Sequence, residues 1–430
     1  MRRFLPSLIL VAAAMAAAAA PSSAQDDAGG AGIDVVQVEG NIDPVVADLI
    51  VSAVADAERS GATAVVFQVD SAGALDTDPG VIESAVAGAA VPVAAWVGPA
   101  GSSARGAAAA IVALADVSAA STSTRIGPVL PRRLDGDDPE STEPAPPGAG
   151  EIARSRISGE EAVEGGVVDF VAPTLGDLIV GLDGRVADTA DGKVELSTSR
   201  VRDTDDGPRR TVNQPVRFVK LDALAGVQHS LTSPAVAYLL LVVGLALMVF
   251  EFFTLGVGLA GVTGALALAG SAFGFSHLPV QWWAVVLILV STFGFAVDVQ
   301  AGHLGFWTGV GGVALLAGSL FLYGGSPLLD VALWLVAVVV GGQLLFMLGG
   351  MTVAVRNRCA VPTVGRDSMI GELGEARTDL NPEGVVLVRG APWRARTRRN
   401  RKLAAGAGVR IVAVDRLLLE VEPEAEPDRT

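Results

Sequence analysis

The chain has 430 residues, 51% of them hydrophobic, a formal net charge of −15 and a single cysteine, Cys359. One cysteine excludes an internal disulfide framework, so any globular part must rest on an apolar core. The charge is unevenly spread: residues 25 to 230 carry a net −17, residues 352 to 430 a net +3, and no Lys or Arg occurs between Lys220 and Arg356, which excludes a wholly soluble chain.

Residues 1–24 read as a signal peptide. Arg2 and Arg3 precede an apolar stretch, and Ser22 and Ala24 take the small-residue positions of a cleavage site. An uncleaved anchor is the alternative, and either reading exports the segment that follows. Strand-like "IDVVQVEG" (33–40) leads to an amphipathic helix over 43–61 with Asp43 as cap and Gly61 as stop. A buried strand (62–71), a helix (78–89), a strand (91–97) and a helix (105–115) follow. That alternation predicts a parallel sheet with right-handed crossovers.

Residues 131–150 are polar and rich in proline, and predict a loop. Ser158 with Glu161 forms a capping box. Residues 186–230 predict a hairpin and a tether. Five apolar segments then follow at about 234–253, 256–275, 282–299, 303–323 and 329–351, each close to the ~20 residues that cross a bilayer. Trp282, Trp283, Trp307, Tyr323 and Trp334 sit near segment ends as interfacial aromatics do, and the glycines at 244, 256, 258, 261, 264 and 270 allow close helix approach. Five crossings from an exported start put the C-terminus in the cytoplasm, and Arg356, Arg358 and Arg366 agree with positive-inside. Short strand-like runs between Val364 and Val421 predict a small barrel of about five strands.

Three stretches of the N-terminal part, "DSAGA" (70–74), "PAGSSARGAA" (99–108) and "RIGPVLP" (125–131), resemble the core of the ClpP-class membrane serine proteases of the NfeD family. The stretch "VGRDSMIGELGEARTDLNPEGVVLVRGAPWRA" (364–395) is similar to that family's C-terminal signature. The resemblance implies a multidomain fold: an α/β ClpP/crotonase-like domain (25–185), a tether (186–230), a polytopic α-helical membrane bundle (231–352) and a small all-β OB-fold barrel (360–424). It implies a plasma-membrane protein with the first domain outside the cytoplasm and the barrel inside.

Carried over residue by residue, the family's nucleophilic serine falls on Gly106, followed by Ala107. The family's partner lysine lies in the segment after "RIGPVLP", where this chain has Arg132 and Arg133 and no lysine. An arginine stays protonated and cannot act as a base. Gly73 keeps the first turn glycine, whereas Ala74 replaces the second. The resemblance thus implies a degenerate serine protease site, a pseudoprotease, with a flotillin- or stomatin-like membrane protein as partner and self-association into a homo-oligomer.

Other readings stay open. Ser102 and Ser103 are the weak candidates for a non-standard nucleophile, which would make the chain an active membrane-bound endopeptidase. Glu251, Asp298 and Asp330 are the acids of the apolar region, where ionisable groups are functional candidates and would line the path of a small transporter; a solvated carboxylate at a span end is the plainer reading. His229, His277 and His303 lie at or inside the membrane region without metal-site spacing, and no cofactor is expected. Arg394, Arg396, Arg398, Arg399, Arg401 and Lys402 place six positive charges on a barrel loop for an anionic lipid or protein partner. Nucleic acid is not expected there, because Trp393 is the domain's one aromatic residue and stacking needs more.

Overall fold

A computed structural model describes residues 32–136, 144–204, 207–254, 258–301, 305–351, 366–398, 401–415 and 417–424. The expectations placed on residues 1–24, Arg356, Arg358, Cys359, Gly256, His303 and Arg399 lie outside these residues. The chain divides into two compact units, Met1–Thr352 and Val353–Thr430.

The N-terminal domain alternates as the sequence predicts: β1 (Ile33–Ile42), α1 (Pro44–Ser60), β2 (Ala64–Ala74), α2 (Pro79–Ala87), β3 (Val93–Val97), β4 (Ser103–Ala104), α3 (Ala107–Leu114), β5 (Val117–Ala120) and β6 (Arg125–Ile126). It continues through β7 (Ile157–Ser158), α4 (Gly159–Glu164), β8 (Phe170–Val171) and α5 (Leu175–Gly181). The sheet runs β7-β6-β4-β2-β3-β5-β8, with β1 on the other side of β2. Its pairings are parallel except that of β6 with β7.

Such a sheet needs cover on both faces. One face packs Val36, Val38, Phe67 and Val69 against α1 and α3; the other packs Ile33, Val35 and Trp96 against Leu178 and Ile179 of α5. Helix α1 forms because Val46, Ile50, Ala53, Val54 and Ala57 recur on one face, Asp43 caps its start and Gly61, at φ 66°, ends it. Burying Ile50 alone is worth about 2 kcal/mol. The capping box of Ser158 and Glu161 starts α4.

Residues 186–230 are more than a hairpin and a tether. They form two hairpins, β9 (Val186–Thr189) with β10 (Gly192–Glu195) and β11 (Ser199–Thr204) with β12 (Gly207–Val212). Strand β13 (Val216–Val219) then joins the main sheet parallel to β1, where Arg217 forms an ion pair with Asp34 at 2.6 Å. The sequence hid this because "VRFV" is only four residues long and its partner strand lies about 180 residues away.

Helix α6 (Ala223–Leu231) leads into the apolar region and is pinned to the N-terminal domain. The Asp43 carboxylate, fully buried, accepts from the amide of Val46, from the Thr232 hydroxyl at 2.6 Å and pairs with His229 Nδ1 at 2.9 Å. Gln37, Glu39 and Lys220 line the same crevice of about 240 Å³. The hydrogen bond to Asp43 raises the His229 pKa above its usual 6.5, against the effect of burial. Burial pulls Asp43 upward, but its hydrogen bonds outweigh this and hold it below 3.8.

Among the described residues, four helices are long and apolar enough to cross a membrane: α7 (Pro234–Thr254), α8 (Leu259–His277), α9 (Trp282–Ala301) and the run Leu333–Met351 that begins with α11 (Leu333–Leu345). The remaining expected span forms only the 15-residue α10 (Phe306–Leu320). At 1.5 Å per residue it is ~22 Å long, short of a ~30 Å hydrocarbon layer. Glycine contacts draw the helices together: a Cβ on Gly244 would meet Leu268 at 2.9 Å, and one on Gly264 would meet the Gly244 carbonyl at 2.9 Å. Trp282, Trp283, Trp307 and Trp334 are exposed, whereas Tyr323 turns inward to donate to the Pro234 carbonyl at 2.7 Å.

The acids of this region serve the backbone. Glu251 accepts from the amides of Gly258 and Gly261 at the start of α8, and buried Asp298 accepts from the amides of Gly305 and Thr308 and the Thr308 hydroxyl at the start of α10. Each satisfies helix-end donors that hydrocarbon would leave orphaned. Asp330 is exposed at the end of a short turn.

The C-terminal unit is a closed barrel of β14 (Leu373–Ala376), β15 (Glu383–Val388), β16 (Ala391–Thr397), β18 (Leu418–Pro423) and β17 (Gly408–Asp415), in that order. Val386, Val388, Ala395, Val409, Ile411, Leu419 and Val421 fill it.

Two measurements check this account. Because folded His229 titrates above 6.5, its stabilisation is fully present below pH 6.5 and is lost as pH rises through the raised value; the Asp43 share is present above pH 3.8 and is lost as pH falls through its lowered value. Hydrogen exchange of α6 amides, corrected for intrinsic rates, is therefore expected to show stronger protection at pH 6 than at pH 8.5, and His229→Gln is expected to remove that difference. Asp298→Ala is expected to cost about 1–2 kcal/mol as a lost cap, and Asp298→Asn less, read from unfolding in detergent.

Candidate functional site

The turn after β2 and the turn before α3 meet in the N-terminal domain. Strand β2 pairs β3 as far as Val69 and then β4 at Ser71, so its last residues, Gly73 and Ala74, run past the start of α3. Gly73 sits at φ 132° and Gly106 at φ 55°, ψ −130°, conformations that a Cβ makes costly. Gly106 is the residue before α3 and supplies no side-chain cap.

Helix α3 therefore presents backbone amides without a capping side chain. The Ala107 amide donates to the carbonyl of Arg132 at 3.1 Å, and the Ala74 amide donates to the same oxygen at 3.2 Å. The Gly106 amide donates to the Pro128 carbonyl at 2.8 Å. Two amides from separate turns converging on one oxygen have the geometry that stabilises an oxyanion in acyl transfer. Here the oxygen belongs to the chain's own backbone. A Cβ on Gly106 would lie 2.7 Å from it and 3.2 Å from the Pro131 carbonyl.

Residues 131–136 are irregular, as the sequence predicts, but they are pinned to the end of β2 through one isolated bridge. Leu134 donates to the Ala74 carbonyl at 2.7 Å, Arg133 bridges in parallel to Ala74, and the Arg132 guanidinium reaches Glu83 of α2 at 3.2 Å and the Pro144 carbonyl at 2.6 Å. The sequence reading had Gly106, Ala107, Gly73 and Ala74 as one site, and the structure brings them together. It missed Arg132 as a backbone participant, because a carbonyl carries no residue-type signal.

Ser102 and Ser103 stand on the β4 side of the turn. Ser102 is buried and its amide donates to the Pro99 carbonyl; the Ser103 amide donates to Asp70 at 2.9 Å. Lys193 lies on β10 and Lys220 just past β13. His277, at the end of α8, contacts Asp76 at 2.7 Å, and His229 contacts Asp43, so both described histidines hold aspartates of the N-terminal domain. Among the described residues no cluster of three or more His, Cys, Asp or Glu could hold a metal.

In the barrel, the basic cluster starts on a strand rather than a loop. Arg394 and Arg396 lie on β16 and pair with Glu383 and Glu420, and Arg398 pairs with Glu422 at 3.6 Å. Arg401 and Lys402 are exposed. The glutamates come from β15 and β18, so only the register of the barrel reveals that much of this charge is compensated.

Two family models match the chain: the NfeD integral membrane domain over residues 235–351 and the NfeD-like C-terminal, partner-binding domain over residues 366–423. The chain is 26% identical over 424 residues to the membrane-bound protease PH1510 of Pyrococcus horikoshii, covering 91% of this chain and 93% of that protein. Among solved structures it is similar to the Pyrococcus horikoshii membrane protease 1510-N, described as specific for a stomatin homolog. That match has 20% identity and a TM-score of 0.36, over 46% of this chain and 97% of the other. The C-terminal domain of the stomatin operon partner protein 1510-C of the same organism matches with 43% identity and a TM-score of 0.14, over 15% of this chain and 98% of the other. Residues 235–351 thus carry an NfeD integral membrane domain and residues 366–423 an NfeD-like C-terminal domain.

Proposed function

We propose that this NfeD protein is a membrane-held binding platform whose ClpP/crotonase-like N-terminal domain does not hydrolyse peptides. The observation that carries the reading is Gly106: at the start of α3, beside the converging amides, the residue has no side chain to attack with. The neighbouring cations are Arg132 and Arg133, which cannot take a proton, and the Arg132 carbonyl fills the place of an oxyanion.

In this reading the N-terminal domain lies outside the cytoplasm and the barrel faces the cytoplasm, which requires an odd number of crossings, so the short α10 also spans the plasma membrane, with the bilayer thinned locally around it. The barrel is the contact for a protein partner, as the partner-binding description of its family supports. The partner class is a flotillin- or stomatin-like membrane protein, with the exposed Arg401 and Lys402 available to an anionic surface, and the chain assembles with copies of itself.

A serine-directed phosphonate is expected to leave the full chain in mild detergent unlabelled; labelling that disappears when Ser102 and Ser103 are both changed to alanine would instead establish an active peptidase. Gly106→Ser is expected to restore no cleavage of a hydrophobic peptide, because no base is in place and the new Cβ meets the Arg132 carbonyl at 2.7 Å. Measurable cleavage by that variant would show a base elsewhere. Capture of a stomatin-like protein through the barrel, lost on its deletion, is the expected result for the platform role.

A further inference from the structure

The segment that fills the amide pair is held from two sides, and one of them is the membrane domain. On the N-terminal side, Arg132 lies between the Ala74 and Ala107 amides while its side chain reaches Glu83. On the membrane side, the amide of Ser326, in the loop between α10 and α11, donates to the Leu134 carbonyl at 3.1 Å. Gly325 approaches so closely that a Cβ on it would lie 2.9 Å from that same carbonyl, and its φ is 81°. Next to this, His277 at the end of α8 contacts Asp76, a non-glycine residue held at φ 50°. The Asp76 amide in turn donates to Asp135, which Arg133 also holds at 2.7 Å.

These contacts form one connected path: bundle loop to Leu134 and Asp135, then to Arg132, then to the start of α3. We propose that residues 130–135 are a strap that covers the Ala74 and Ala107 amides in cis, and that the membrane domain latches the strap through Ser326 and His277. A shift of the α10–α11 loop relative to the N-terminal domain then frees the Arg132 carbonyl and opens the amide pair. The Ala74 and Ala107 amides are left without an acceptor in the open state, which makes closure the resting state. The inference goes beyond the platform reading and holds whether or not chemistry occurs at this amide pair.

Hydrogen exchange of the full chain in lipid nanodiscs tests it. In the wild type the Ala74 and Ala107 amides are expected to be protected; exchange as fast as in an exposed turn overturns the proposal. Ser326→Pro removes the donor at a φ of −74° that proline accepts, and His277→Ala removes the second contact. The double variant is expected to exchange both amides about tenfold faster with α1 and β3 unchanged, the factor for losing one or two hydrogen bonds. Unchanged exchange at Ala74 and Ala107 overturns the latch. Should α1 and β3 also lose protection, a Leu134→Cys, Ser326→Cys pair in a Cys359→Ser background decides. Joined by a short cleavable cross-linker, it is expected to slow exchange at both amides relative to the cleaved form, and equal rates overturn the proposal.

Discussion

A helix that begins beneath the protein surface without a side-chain cap must find acceptors for its first amides, and α3 meets this demand with a carbonyl from a distant segment. Gly106 gives α3 its sharp entry at φ 55° but no oxygen, so the Arg132 carbonyl accepts from Ala107 and, through the same atom, from Ala74. That one oxygen decides the course of residues 128–135: Pro128 must pass the Gly106 amide, Leu134 must pair with Ala74, and the chain emerges where the membrane loop at Ser326 can hold it. An orphaned buried amide costs about 1–3 kcal/mol, so the arrangement is firmly specified although no side chain of the turn contributes to it.

A similar economy governs the membrane domain. Hydrocarbon offers no partner to a polar backbone group, so Glu251 and Asp298 are placed where helix starts expose amides. Small residues then let the helices touch backbone to backbone, as Gly244 does with Gly264. The junction with the N-terminal domain depends on Asp43, which caps α1 and holds His229 and Thr232 with the same carboxylate. One buried charge thus ties the start of α1 to α6, the helix that leads into the apolar region, and its partner His229 makes the tie weaken in alkali.

Much of the fold was legible because its signals are local. The βα alternation over 33–115, the caps at Asp43 and Ser158, the apolar runs and the short strands of the barrel each follow from periodicity and turn residues within a few positions. The departures are nonlocal. "VRFV" at 216–219 became a sheet strand through pairing with β1, the apolar run ending at Tyr323 yielded only the 15-residue α10, and the arginines of β16 found glutamates across the barrel.

The sequence alone determined that the chain has an α/β domain, an apolar helical region and a small barrel, and that the position before α3 holds Gly106, because residue types and spacings carry that information. Only the tertiary structure decided what replaces the missing side chain. Backbone carbonyls are the same in every residue, so nothing in the letters at 128–135 marks Arg132 as the acceptor; the pairing of β2 with β4 and the passage of Ala74 beside Ala107 create the place for it.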